Sequence, residues 1–215
     1  MDERLTRAET IVFDVGNVLL RFDPERVLCL LPEDMRAPLR RALFDPCRLW
    51  HDFDRGLEDN ASIARRAAAA AGFDGQEDSV LSLLTLFPKT LTPLPLYHLL
   101  PRLRAMGKRL YGLTNYPEPS FSITCRLFPA LTEELQGIAV SSREKLFKPQ
   151  PAFFRLLMER YGIDPHRALF IDDNADNIAA AQALGFAVWH YAGEDTLLPT
   201  ESAAFFDEAG NKSPG

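Results

Sequence analysis

Three cysteines, Cys29, Cys47 and Cys125, are all that the 215 residues contain, and no two of them form a CxxC pair. So sparse and odd a set supplies neither a disulfide framework nor a zinc site. These cysteines are expected to be buried small apolar residues in a reducing cytosol. Long hydrophobic runs are lacking as well: no segment approaches the ~20 apolar residues that span a bilayer. The opening stretch MDERLTRAET is charged and has no apolar segment of the kind that marks a secretory signal. Positive charge is in deficit, with a net charge of −6. An acidic chain repels a nucleic-acid backbone at long range, although a local site can still draw in a small anion. These absences predict a cytoplasmic protein with neither a nucleic-acid nor a membrane partner.

What is present is the composition of a globular domain, 47% hydrophobic and 25% charged. The length allows a core with one small inserted domain. Residues 10–15 (TIVFDV) are β-branched and aromatic and read as a buried strand ending at Gly16. Asp23-Pro24 then has helix-start chemistry, Asp at the N-cap and Pro at the first helical position. Helical spacing continues through 24–31, 33–44, 60–71 and 77–86, with Asn60 a plausible cap and Gly72 a stop. From residue 94 helices and strands alternate: helix 94–106, strand 109–113, helix 117–128, strand 137–141, helix 151–161, strand 168–172, helix 174–184, strand 186–190. Such alternation predicts an α/β fold, a doubly wound parallel sheet covered on both faces. The helical block after the first strand predicts an all-helical insert at 22–92, a core made of 1–21 and 93–208, and a mobile tail at 209–215.

In an open parallel sheet, ligands bind beyond the carboxyl ends of the strands. Those ends carry Asp14, then Thr114 and Asn115, then Ser141 and Ser142 leading to Lys148, then Asp172 and Asp173. Taken singly these residues are ordinary. Asp14 reads equally as a turn aspartate, Asp172 and Asp173 as acids balancing a helix dipole, and Lys148 as a solvated lysine. Together, their order and spacing resemble the haloacid dehalogenase superfamily of hydrolases, most of which are phosphatases. FDVGNVLL at 13–20 is similar to the family's first motif, LYGLTN at 110–115 to its second, Lys148-Pro149 to its third and LFIDDNADN at 169–177 to its fourth. The first motif has the Asp-x-Gly-Asn form of a branch that includes sugar-phosphate phosphatases.

The resemblance implies a Rossmann-like core with a helical cap. It implies hydrolysis of a small phosphorylated metabolite, a sugar phosphate, with Asp14 as the nucleophile that becomes an aspartyl-phosphate. Mg²⁺ would be held by Asp14, the Gly16 carbonyl and Asp173, with Asp172 a ligand directly or through water. Thr114, Asn115 through its backbone, and Lys148 would hold the phosphoryl oxygens. The segment from Trp50 to Gly56 has two readings, a loop-like stretch whose Asp54 and Arg55 contact the substrate, or a helix end with surface charges and a buried Trp50. One position departs from the family. Its phosphatases usually carry an acid two residues after the nucleophile, where this chain has Gly16. Asp23, Asp54 and Asp172 are candidates to replace it. Otherwise the leaving group departs unprotonated, which favours sugar 1-phosphates or aryl phosphates over sugar 6-phosphates. Two alternatives stay open: dehalogenation of a haloacid by Asp14 without a metal, and a weakly catalytic protein that binds a phosphometabolite.

Overall fold

In a computed structural model that describes residues 2–45 and 48–193, a short helix α1 (Glu3–Arg7) leads into β1 (Thr10–Phe13) and then a two-residue strand β2 (Leu20–Arg21). Among the described residues only helices follow: α2 (Pro24–Leu28), α3 (Glu33–Phe44), α4 (Arg48–Arg55), α5 (Asn60–Ala71), α6 (Glu77–Leu86) and a 3-10 turn at Phe87–Thr90. β3 (Thr92–Pro93) then pairs antiparallel with β2, so the helical insert leaves and returns through one two-stranded neck. Alternation follows: α7 (Pro95–Ala105), β4 (Arg109–Thr114), α8 (Ser120–Leu127), α9 (Ala130–Glu133), β5 (Gly137–Val140), α10 (Ser141–Glu144), α11 (Pro151–Tyr161), β6 (Ala168–Asp172), α12 (Ala175–Ala183) and β7 (Ala187–His190). The five long strands lie in the order β5-β4-β1-β6-β7, every neighbouring pair parallel. The chain therefore has the doubly wound α/β fold.

The central strands β1, β4 and β6 are buried on both faces because they are mostly apolar, with side chains that alternate with a period of two. Ile11 and Phe13 of β1 point to one core, together with Leu169 and Ile171 of β6. Val12 and Phe170 point to the other, against Phe153, Phe154 and Leu157 of α11. The first of these cores continues into the insert without a break, through Leu39, Trp50, Phe53, Ile63 and Leu83.

Several local details differ from the sequence reading. Residues 50–55 are the end of helix α4 with Trp50 buried, so of the two readings of this segment the loop-like one is not met. Trp50 and Phe53 sit one turn apart and fall on one side of the helix. There Trp50 packs against Phe22, Phe44, Phe53 and Phe87 at centroid distances of 4.9, 4.8, 5.3 and 5.3 Å. Burial of that aromatic group outweighs the helix-indifferent charges around it. Asp59, one residue before the expected Asn60, caps α5 and accepts from the Ser62 N–H at 2.7 Å. α8 begins at Ser120, three residues after Pro117. Cys29 is exposed at the end of α2 and Cys125 is half-buried, so burial does not explain Cys29. Cys47, the last stretch of the predicted core and the tail 209–215 lie outside the described residues. No helix among the described residues is long and apolar enough to cross a membrane.

Candidate active site

The site grows from two adjacent strand ends. β1 stops at Phe13, yet the Asp14 N–H still donates to the Ile171 carbonyl at 2.9 Å. Asp14 is therefore held in the register of the sheet while its side chain leaves it. Its Oδ1 accepts from the Val15 N–H at 2.7 Å. β6, the neighbour of β1, ends on Asp172. Lys148 bridges the two ends: its Nζ lies 2.9 Å from Asp14 Oδ2 and 2.7 Å from Asp172 Oδ2. All three side chains are buried or nearly so. The Asn115 side chain sets the position of Lys148. It accepts from the Lys148 N–H at 2.8 Å and donates to the Lys148 carbonyl at 3.0 Å.

Asp172 is saturated. Besides Lys148, it takes the Asn174 N–H at 2.8 Å and the Asn177 amide at 3.0 and 3.1 Å on its two oxygens. That uses the roughly four lone-pair directions of a carboxylate. Asp173, one residue further, is less engaged. Its Oδ2 accepts from the Asn17 amide at 3.1 Å, and its backbone carbonyl accepts from His190 Nε2 at 2.8 Å. Asn17 reaches it from a left-handed backbone, φ 53°, which asparagine tolerates better than most residues.

Oxygens of Asp14, Asp172 and Asp173 lie within 4.8 Å of one another. One lysine faces these three acids. Burial, and then the charges of Asp172 and Asp173, push the Asp14 carboxyl up to about 7 against the pull of Lys148. Burial and Asp172 likewise raise Asp173. For Lys148, burial acts to lower its pKa, but Asp14 and Asp172 outweigh it and hold it above the ordinary lysine value. An oxygen-rich site with surplus negative charge suits a hard divalent cation. The hydrogen bonding leaves that capacity on Asp14 and Asp173 rather than on Asp172. The Thr114 hydroxyl, buried at the end of β4, has no hydrogen-bond partner among the described residues.

A cavity of about 380 Å³ opens over this floor. Asp14, Gly16, Asn115, Lys148 and Asp173 line it from below, and Phe22, Trp50, Asp54, Arg55 and Phe87 from the insert and its neck. Of the residues expected at the site, Asp172 lies buried behind the floor and Thr114 does not line the cavity. Burial, then the charge of Asp14, push the Asp54 carboxyl well above the carboxylate range, while Lys148, Trp50 and Arg55 oppose. Asp23 is elsewhere, capping α2 through the Glu25 N–H at 2.9 Å. The supports Asn17, Asn174 and Asn177 were missed in the sequence. Their only local signal is the pair of Asn-containing runs around Asp14 and Asp173.

The end of α4 is clamped to the rim of the sheet. Ser141 Oγ accepts from the Tyr116 N–H at 2.9 Å and donates to the Asp54 carbonyl at 2.5 Å. Lys145 Nζ donates to the Gly56 carbonyl at 3.0 Å. Gly56 has φ 65°, and a Cβ there would stand 2.4 Å from Ser142 Cα. Gly56→Ala is expected to cost more than the about 1–2 kcal/mol of a left-handed backbone alone, because backbone must also move. Urea unfolding measures this, and a loss below that range would show that the clamp yields.

Residues 8–185 match the family model described as haloacid dehalogenase-like hydrolase. The chain is 24% identical over 189 residues to the sesquiterpene phosphatase astK of Aspergillus oryzae, covering 86% of this chain and 90% of that protein. It is 25% identical over 198 residues to flavin mononucleotide hydrolase 1 of Arabidopsis thaliana, covering 90% and 76%. Its fold is similar to that of HAD family enzyme bt-2542 from Bacteroides thetaiotaomicron, solved in complex with magnesium and inorganic phosphate. That likeness has a TM-score of 0.71 at 24% identity, covering 88% of this chain and 97% of that one.

Proposed function

The chain belongs to the haloacid dehalogenase-like hydrolase family, and from that premise we propose that it is a Mg²⁺-dependent phosphatase working through an aspartyl-phosphate on Asp14. The observation that carries this reading is the Lys148 ammonium, held 2.9 Å from Asp14 with Asp173 alongside. A carboxylate beside a fixed cation can meet a phosphate dianion without prohibitive repulsion. Asp14 attacks phosphorus and takes the phosphoryl group, splitting hydrolysis into two easier displacements. Lys148 offsets charge on the phosphoryl oxygens as a point charge. The Asn115 backbone, which lines the cavity, supplies a donor for the same oxygens, whereas Thr114 stands behind the lining and would need to move to reach them. Mg²⁺ at Asp14, the Gly16 carbonyl and Asp173 would neutralise the remaining charge between carboxylate and phosphate. The saturated Asp172 acts by orienting Lys148 rather than as a ligand.

In this reading the helical insert is the cap, and its residues face the organic part of the substrate. Phe22, Trp50 and Phe87 offer flat apolar surface, and Asp54 and Arg55 offer polar contacts. A sugar ring uses both kinds of surface. The names of the phosphatase and flavin mononucleotide hydrolase relatives support release of phosphate from a small organic ester. Cytoplasmic location is part of the same proposal.

Phosphate release from a panel of sugar phosphates and nucleotides, in Mg²⁺ and in EDTA, tests the reading. Asp173→Asn is expected to lower the Mg²⁺-stimulated rate about 100-fold or more, roughly a 2.7 kcal/mol loss. Binding gives an independent readout. Mg²⁺ at a hundred times its Kd should add about 2.7 kcal/mol of stability to the wild type, and little to Asp173→Asn. Chloride release from chloroacetate in EDTA, without phosphatase activity, would overturn the proposal in favour of dehalogenation.

A further inference from the structure

We infer that Asp54 is the catalytic proton donor to the leaving-group oxygen and, one step later, the base that activates the hydrolytic water. This rests on the phosphatase reading and identifies a group that reading leaves open. An alkoxide leaving from phosphorus needs a proton, and the loop after Asp14 offers none, because Gly16 has no side chain. Of the sequence candidates, Asp23 is engaged as the α2 cap and lines a different part of the surface. Asp172 is buried behind the floor with both oxygens occupied. Asp54 lines the cavity from the side of the insert, over Asp14 and Lys148.

Other features fit this role. Asp54 is outside the carboxylate cluster that could hold a cation. It stands on a helix end fixed by the Ser141 and Lys145 hydrogen bonds to the Asp54 and Gly56 carbonyls. Trp50, one turn earlier in α4, is packed among four aromatic rings and lines the same cavity beside it. The burial that surrounds Asp54 favours the protonated carboxyl a donor needs. His51 and Asp176 line the same cavity but are exposed at its edge.

The steps balance. As Asp14 Oδ bonds to phosphorus, the bond from phosphorus to the ester oxygen breaks. That oxygen keeps the electron pair and takes the proton from Asp54, leaving a carboxylate. The carboxylate then removes a proton from water as the water oxygen attacks phosphorus. The bond from phosphorus to Asp14 breaks with its electron pair on Asp14, and Asp54 is protonated again. A consequence follows for specificity. With Asp54 in place, the enzyme is not confined to stable leaving groups, contrary to the expectation drawn from Gly16.

The test compares 4-nitrophenyl phosphate with 2-phenylethyl phosphate, similar in size but very different in leaving-group basicity, using the full chain in Mg²⁺. Wild-type kcat/KM is expected to differ less than about tenfold between them if a proton donor works. Asp54→Asn keeps the shape. It should lower kcat/KM on the phenylethyl ester by about 10²–10⁴-fold, the range of general acid catalysis, and on the nitrophenyl ester by less than about tenfold. Nitrophenolate should then appear as a burst near one equivalent, followed by slow turnover, because the phosphoenzyme lacks its base. Gly16→Asp in the Asp54→Asn background has open space, since a Cβ there meets nothing within 4 Å. It should restore the phenylethyl ester. Equal losses on both esters, or no loss on either, would overturn the assignment. So would a wild-type preference above about a thousandfold for the nitrophenyl ester, a measurement that needs no variant. Turnover of neither ester by the wild type would instead overturn the phosphatase reading, and this one with it.

Discussion

Asp14→Asn is expected to lower turnover to below about a thousandth of wild type, the scale seen when a nucleophile is removed, while the protein stays folded. The asparagine oxygen can still accept the Val15 N–H, and the backbone bond to Ile171 is untouched. What disappears is the charged oxygen that attacks phosphorus. Beryllofluoride should occupy the wild-type site and not the variant. The same change has a sign-definite effect on stability. In EDTA the Asp14 carboxyl is pushed up to about 7 by burial and by its acidic neighbours, against about 3.9 when unfolded. Between those values the folded state binds the extra proton, so the stability that Asp14 contributes is greatest below pH 4 and falls as pH rises toward 7. Asp14→Asn removes this contribution, and its stability curve should be flatter across that window. Urea midpoints at pH 4, 5.5 and 7 measure it. Parallel curves for the two proteins would show that Asp14 does not titrate there.

Lys148→Met carries the other large effect. Methionine matches the length of the buried stem but leaves Asp14 and Asp172 without the ammonium that stands 2.9 and 2.7 Å away. Breaking a buried pair by removing one partner costs about 3–5 kcal/mol, because a charge stays buried without compensation. Asp172 keeps its Asn174 and Asn177 donors, so much of the cost falls on Asp14. The loss should appear in urea unfolding at pH 7 in EDTA, shrink as the pH falls and the acids protonate, and shrink with Mg²⁺. Phosphatase activity should fall at least about a hundredfold with the loss of charge stabilisation at the phosphoryl oxygens. A stability change under about 1 kcal/mol, typical of exposed pairs, would mean that the bridge is solvated.

Much of this molecule was legible along the chain. The apolar runs at 10–13, 109–114, 137–140 and 168–172 become parallel strands because each is short, bounded by turn residues and apolar on both faces. Helix ends followed from local chemistry, as at Asp23-Pro24 and at Gly72, which closes α5 with φ 80°. Strand ends and the family resemblance together pointed to Asp14, Lys148, Asp172 and Asp173, whose side chains lie side by side in the structure. Tertiary structure decided how those groups divide the work. Asn17 meets Asp173 across 156 positions, Lys148 meets Asp172 across 24, and Ser141 meets the Asp54 carbonyl across 87. Only these contacts separate a saturated Asp172 from a less occupied Asp173, and bring Asp54 over the floor. The choice between loop and helix end at residues 50–56 was settled in the same way, because burial of Trp50 and Phe53 among rings from Phe22, Phe44 and Phe87 holds α4. Periodicity and capping act within a turn or two of chain and show locally. Burial, and the protonation that burial sets, depend on groups that meet only when the chain has folded.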